Sequence, residues 1–202
     1  MSVDSQAKDD IYVVIMAGGS GTRFWPLSRE AMPKQLLRID GGETLIQQTI
    51  ARVSSIVPSD RIYIVTNKNH AEQIGYQVSE IKRENFIIEP AAKNTAAAIG
   101  LAAIHIHHNH PDGIMAVLAA DHVIRQEERF LEALKDAFKV ARSDYLVTIG
   151  IKPVRPETGY GYIEAGEKLE VRSQKLGKQM LLSHLGYYGL LRNQILRRQQ
   201  SI

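Results

Sequence analysis

Residues 11–23 read IYVVIMAGGSGTR, and the change of texture in the middle of that stretch decides the fold. Six apolar, largely β-branched residues without a polar partner at every second position predict a strand covered on both faces, as in a parallel sheet. The run stops at Gly18-Gly19. Closely spaced glycines let backbone N–H groups approach phosphate oxygens with no Cβ in the way, so a strand that opens into such a loop is a candidate anion cradle. Arg23 and Lys34 come next and would add charge-assisted contacts.

Downstream, residues 43–57 place Leu45, Ile46, Ile50, Val53 and Val57 at helical spacing, and residues 61–65 (RIYIV) return to a strand pattern, which completes a βαβ unit. The alternation continues with a helix over residues 70–81, a strand over 86–89, a helix over 95–108 and a strand over 115–119. A helix over 127–142 comes after it, with Phe130, Leu134, Ala137, Phe138 and Ala141 as its apolar stripe, and residues 145–151 read as a fifth buried strand. Five strands alternating with four helices predict an α/β, doubly wound, mostly parallel sheet with helices on both faces. Ligands bind such sheets at the carboxyl ends of the strands.

Composition sets the remaining bounds. The chain has 202 residues, 44% hydrophobic and 23% charged, which is ordinary for a folded domain. No apolar run reaches the roughly 18 residues that cross a bilayer, the first ten residues are polar and acidic, and cysteine is absent. No membrane association is expected, and the cytoplasm fits best. The net charge of +3 is uneven: residues 167–202 hold seven Lys or Arg against two acidic residues, leaving 18 basic and 20 acidic elsewhere. A nucleic-acid-binding body would carry its cationic surface within the folded domain, so no nucleic-acid partner is expected.

The glycine loop alone leaves its ligand ambiguous, since dinucleotide and Walker-type sites also come directly after a first strand. A dinucleotide fingerprint counted from Gly19 wants Gly or Ala where Phe24 stands, and no Gly-Lys-Ser or Gly-Lys-Thr string occurs. The longer string AGGSGTRFWPLSREAMPKQ, residues 17–35, closely resembles the signature of the sugar nucleotidyltransferases, and its FWPLSR portion resembles the mannose-1-phosphate guanylyltransferase branch. EPAAKNTA at 89–96, AADHVI at 119–124, GIKP at 150–153 and ETGYGYIE at 157–164 agree in order and spacing, so the resemblance covers residues 10–166.

The resemblance implies a Rossmann-like nucleotidyltransferase fold and assigns roles. Ala17, Gly18, Gly19, Gly21 and Thr22 would line the nucleotide, with Glu89, Asn94 and Thr95 at another strand end reading guanine or ribose. Arg23 and Lys34 would bind the triphosphate and stabilise charge as pyrophosphate leaves. Asp121, just past an apolar strand, would hold Mg²⁺, and Gly159 would lie near the sugar. The implied substrates are GTP and mannose 1-phosphate, and the implied product is GDP-mannose. Simpler uses of the same residues stand beside these: the glycines could only turn the chain, and Asp121 or Asn94 could cap the next helix. The cluster His105, His107, His108 and His110 reads as a solvated helix terminus facing the negative end of the dipole rather than as a metal site.

After residue 164 the resemblance ends. The family's further sheet segment, its Glu-Lys-Pro motif for the sugar phosphate and its later acidic metal ligand have no counterpart, and residues 167–202 form a basic, Gln-rich tail. The expected organisation is a nucleotide-binding domain over residues 1–166, incomplete at its C-terminal side, and a tail of the kind a frameshifted or truncated product would carry, with a divergent short homologue as the alternative. The functional expectation is a guanylyltransferase, with a catalytically impaired or regulatory nucleotide-binding remnant, or a nucleotidyltransferase for another hexose 1-phosphate, as alternatives. A homo-oligomer is left open.

Overall fold

The computed structural model describes residues 10–18, 33–38, 42–153, 155–156, 158, 162 and 188–191. The chain divides into two compact units, Met1–Glu127 and Glu128–Ile202. The expected boundary between residues 166 and 167 falls outside the described residues.

In the first unit, strands β1 (Ile11–Met16), β2 (Ile62–Asn67), β3 (Phe86–Glu89) and β4 (Ile114–Ala119) form one parallel sheet in the order β3-β2-β1-β4. Val13 pairs with Ile62 on one side of β1 and with Ala116 on the other. The chain winds outward from β1 through β2 to β3 and then crosses back to place β4 on the opposite side. That reversal opens a crevice at the carboxyl ends of β1 and β4, the place where sheets of this kind take ligands.

The helices are set by the periodicities of the sequence. Helix α1 (Leu45–Ser54) begins with a capping box: the Thr44 side chain accepts from the Gln47 N–H, and the Gln47 side chain accepts from the Thr44 N–H at 2.9 Å. It buries Leu45, Ile46, Ile50 and Val53, each contributing about 1.5–3 kcal/mol by leaving water. Helix α2 (Lys68–Gln77) is capped by Asn67, whose side-chain oxygen accepts from the His70 N–H at 2.9 Å. It stops at Gln77 instead of running to residue 81. Val78 and Ile81 keep the apolar spacing because both are buried in the turn after the helix, so the pattern outlasts the helix that it mimics.

Helix α3 (Asn94–Asn109) lays Ala98, Ala102 and Ile106, one residue per turn, on Tyr12, Val14, Tyr63, Val65 and Ile87. By strand alternation Val13, Ile15, Ile62 and Ile64 face the other way, and they are fully buried too. The buried side chains of α1 and α2 lie outside the α3 cluster, so both faces of the sheet are covered, as the doubly wound expectation requires.

In the second unit, helix α4 (Glu127–Ala141) buries Ala133, Leu134, Ala137 and Phe138. The next strand, β5 (Leu146–Ile149), corrects the expectation of a fifth parallel strand. It pairs antiparallel with β6 (Tyr188–Leu191) in a separate two-stranded sheet, Leu146 opposite Leu191. A short apolar run has the same composition whether it is central or paired on one side only, and Leu146 at 56% exposure is no core position. No described helix is long and apolar enough to cross a membrane.

Candidate active site

The ladder does not end with the strands. Beyond β1, the Ala17 N–H donates to the Val65 carbonyl at 2.8 Å, and beyond β4 the Ala120 N–H donates to the Met16 carbonyl at 3.1 Å. Residues 17 and 120 are therefore held by the sheet, and the chain emerges at the crevice just beyond each of them.

The Ala17 carbonyl is fixed from two directions. Thr66 Oγ1 donates to it at 3.0 Å and Gln35 Nε2 at 2.7 Å, and both side chains are buried. A buried carbonyl that accepts two hydrogen bonds anchors the chain at the point where the glycine loop departs. These two residues were not singled out as site residues from the sequence. The available signals were a lone Thr closing the otherwise apolar RIYIV run and a Gln directly after Lys34.

The same short segment that buries Gln35, a 3₁₀ turn at Lys34–Leu36, sends Lys34 to the crevice. Lys34 Nζ lies 2.7 Å from Asp121 Oδ2 in an ion pair, with the two side chains 18% and 37% exposed. The other carboxylate oxygen, Oδ1, has His122 Nε2 at 4.0 Å, beyond hydrogen-bonding reach. Asp121 does not cap a helix, because α4 begins six residues later. Two expected residues from opposite ends of the domain sequence thus meet directly at the strand reversal.

Gly18 brings in a third. A Cβ at this position would collide with Oε2 of Glu89, which ends β3, and would lie 4.0 Å from Thr66 Cα. The absence of a side chain at Gly18 is what admits the half-buried Glu89 carboxylate beside the loop. Asn94 and Thr95 sit at the start of α3, shortly after the end of β3, and both are exposed. Asn94 is not the N-cap: Lys93 holds that position without a side-chain hydrogen bond, and Asn94 has φ of 65°, a left-handed conformation that Asn tolerates better than most residues. The first turn of α3 therefore has no cap from its N-cap side chain at the carboxyl end of the sheet. Gly19, Gly21, Thr22, Arg23 and Gly159 lie outside the described residues.

At the opposite, amino end of the sheet, the histidines are engaged separately. His110 stacks on Tyr12 with centroids 4.6 Å apart, and His105 meets Tyr63 edge-on at 5.6 Å. The His107 ring Nδ1 lies 3.2 Å from the Pro111 carbonyl. Among the described residues, no three His, Asp or Glu side chains converge as a metal group.

Comparison with known proteins agrees with this architecture. The sequence profile of the nucleotidyl transferase family matches residues 12–175. The chain is similar to the mannose-1-phosphate guanylyltransferase of Escherichia coli strain K12, 45% identical over 165 residues, which cover 80% of this chain and 34% of that protein. It is also similar to mannose-1-phosphate guanylyltransferase 2 of Escherichia coli O157:H7, 45% identical over 161 residues, covering 78% and 33%. The chain thus spans about one third of the length of these curated relatives. Among solved structures, one titled mannose-1-phosphate geranyltransferase from Thermus thermophilus superposes with a TM-score of 0.70 at 34% identity, covering 79% of this chain and 47% of that one. Another, titled mannose-6-phosphate isomerase from Helicobacter pylori, gives 0.61 at 27% identity, covering 81% and 58%. With its profile matched over most of its length and its parallel sheet shared, the chain belongs to the nucleotidyl transferase family.

Proposed function

We propose that the chain carries the nucleotide-binding half of a mannose-1-phosphate guanylyltransferase, which transfers GMP from GTP to mannose 1-phosphate and releases pyrophosphate. The observation that carries the reading is the meeting of Lys34 with Asp121 at the sheet reversal, with the next residue, Gln35, bonded to the anchored Ala17 carbonyl that precedes the glycine run. The names of the curated relatives support the choice of substrates.

In the reaction, a phosphate oxygen of mannose 1-phosphate attacks the α-phosphorus of GTP in line, the new P–O bond forms, and the bond to the β-phosphate oxygen breaks. The acceptor is already an anion near neutral pH, so no protein nucleophile is needed, and the task is to bring two anions together. Ala17, Gly18, Gly19, Gly21 and Thr22 would line the nucleotide, while Arg23 and Lys34 place positive charge on the triphosphate and on the departing pyrophosphate. Glu89, whose carboxylate lies against Gly18, offers two acceptor oxygens to the N–H groups of a guanine edge. Asn94 and Thr95 stand where the exposed first turn of α3 can donate to a phosphate or ribose oxygen. Gly159 is assigned to the sugar on resemblance alone.

The donor chemistry at Asp121 fits Mg²⁺, which takes one or two carboxylates and completes its shell with phosphate oxygens and water. Bound there, the metal would neutralise charge between the phosphates. The proposed substrates, GTP and a sugar phosphate, support a cytoplasmic location.

Pyrophosphate release by the purified chain with Mg²⁺, GTP and mannose 1-phosphate, run beside Asp121→Ala, tests the proposal. Release that requires the sugar phosphate and falls at least about 100-fold in the variant is the expected result. GTP binding without release would reduce the chain to a nucleotide-binding remnant. Release with glucose 1-phosphate but not mannose 1-phosphate would change the sugar.

A further inference from the structure

One oxygen atom gathers three parts of the chain where the glycine run begins. The Ala17 carbonyl accepts from Gln35 Nε2 at 2.7 Å and from Thr66 Oγ1 at 3.0 Å, donors that stand 18 and 49 positions away in sequence. Gln35 belongs to the turn that carries Lys34, and Thr66 to the carboxyl end of β2. Both donors are buried, at 3% and 0% exposure. The orientation of the Gln35 amide is fixed by chemistry, since only its NH₂ group can donate to a carbonyl. On the other side of the same residue, the Ala17 N–H is held by the Val65 carbonyl at 2.8 Å.

A trans peptide unit is planar, and its C=O and N–H point in opposite directions. The Ala17 carbonyl shares its plane with the Gly18 N–H, so two hydrogen bonds that converge on the oxygen also set the direction of that N–H. Among the described residues the Gly18 N–H has no acceptor. Gly18 and Gly19 cannot supply the restraint themselves, because residues without a Cβ leave φ and ψ wide open. From this we propose that Gln35 and Thr66 are positioning residues: by clamping the Ala17 carbonyl they aim the Gly18 N–H at the nucleotide. The role rests on the assignment of Gly18 to the nucleotide, and neither side chain needs to touch the ligand. A donor aimed before binding contributes its hydrogen bond without an ordering cost at the moment of binding. Because Gln35 is the neighbour of Lys34, the same clamp keeps the backbone of the Lys34 turn in register with the end of β1.

Three variants separate the hydrogen bonds from the packing. Thr66→Val keeps the shape of the side chain and removes the hydroxyl, Thr66→Ser keeps the hydroxyl, and Gln35→Met keeps the length and removes the amide. In the free protein, NMR reads the clamp directly. The Ala17 carbonyl-carbon and Gly18 amide resonances should move in Thr66→Val and in Gln35→Met, and should return close to their wild-type positions in Thr66→Ser. A GTP titration of the same folded samples should show affinity about three- to tenfold weaker in Thr66→Val and Gln35→Met, the span of one lost hydrogen bond, and near wild type in Thr66→Ser. Gly18 resonances that stay in place in both variants overturn the clamp. Resonances that move while GTP affinity holds, with only a lower urea midpoint, leave the pair a structural role and overturn the positioning. A wild-type protein that binds no GTP fails differently: it removes the assignment of Gly18 to the nucleotide, and this role with it, whatever the Gly18 resonances do. Should Gln35→Met not fold, Thr66→Val set against Thr66→Ser decides the question.

Discussion

At Gly18 the requirement for glycine comes from space, not from backbone conformation: the Glu89 carboxylate occupies the volume that a Cβ would take. The colliding atoms are the far end of a flexible, half-buried side chain, whereas the nearest backbone atom, Thr66 Cα, is at an ordinary 4.0 Å. Gly18→Ala should therefore fold with a loss below about 1 kcal/mol, because Glu89 swings aside. The same movement removes the carboxylate from the loop, so GTP affinity should fall at least about fivefold, a loss expected when one charge-assisted contact is displaced. Urea unfolding and a GTP titration of the variant measure the two effects separately. A stability loss of several kcal/mol with unchanged affinity would mean that Gly18 is there for packing and that Glu89 does not meet the nucleotide.

At the scale of elements, α1 depends on how it starts. Thr44 is buried, and its capping box with Gln47 is extended by a bond from Gln47 Nε2 to the Gln77 carbonyl at 2.8 Å, which ties the first turn of α1 to the last turn of α2. Thr44→Ala should cost about 1 kcal/mol, read as a lower urea midpoint at constant slope. A change in slope would show instead that the two helices come apart before the sheet does. The legibility of these elements in the sequence obeys the same physics. β1 and β3 were legible to the residue, since an apolar run bounded by glycine or proline has few alternatives. The end of α2 was not, because Val78 and Ile81 are buried for reasons of the turn. β5 was misplaced because LVTI does not encode which strand it will pair with. The family resemblance assigns Lys34 and Asp121 to one site through different ligands, but their direct contact is not legible in the sequence, as no local pattern links residues 87 positions apart. The Thr66 and Gln35 clamp on Ala17 is not legible in the sequence, since a buried hydrogen bond to a carbonyl leaves no periodicity behind.

On the scale of the whole molecule, the four-stranded sheet has the candidate site at one end and a ring cluster at the other, and the two should respond to different perturbations. Tyr63 lies early in β2, three residues before Thr66 and so about 10 Å along the strand from the Ala17 anchor. It packs against Tyr12 and the edge of His105. Burial, then the neighbouring Tyr12, Asp60 and Glu84, raises the Tyr63 phenol above its ordinary value of 10.0. In the unfolded chain the phenol ionises near that ordinary value, while in the folded chain it stays neutral to higher pH. The contribution to stability is therefore fully present below about pH 10 and is lost as pH rises through the folded value. Urea midpoints at about pH 8 and about pH 11 should fall further in the wild type than in Tyr63→Phe, which keeps the ring and removes the titrating group. GTP binding at about pH 8 should be the same in both, because the phenol stands at the amino end of the strand and the anchored Ala17 carbonyl at the carboxyl end. An equal alkaline loss in the two proteins would assign the effect to other groups, and weaker GTP binding in Tyr63→Phe would show that the ends of the sheet are coupled through β2.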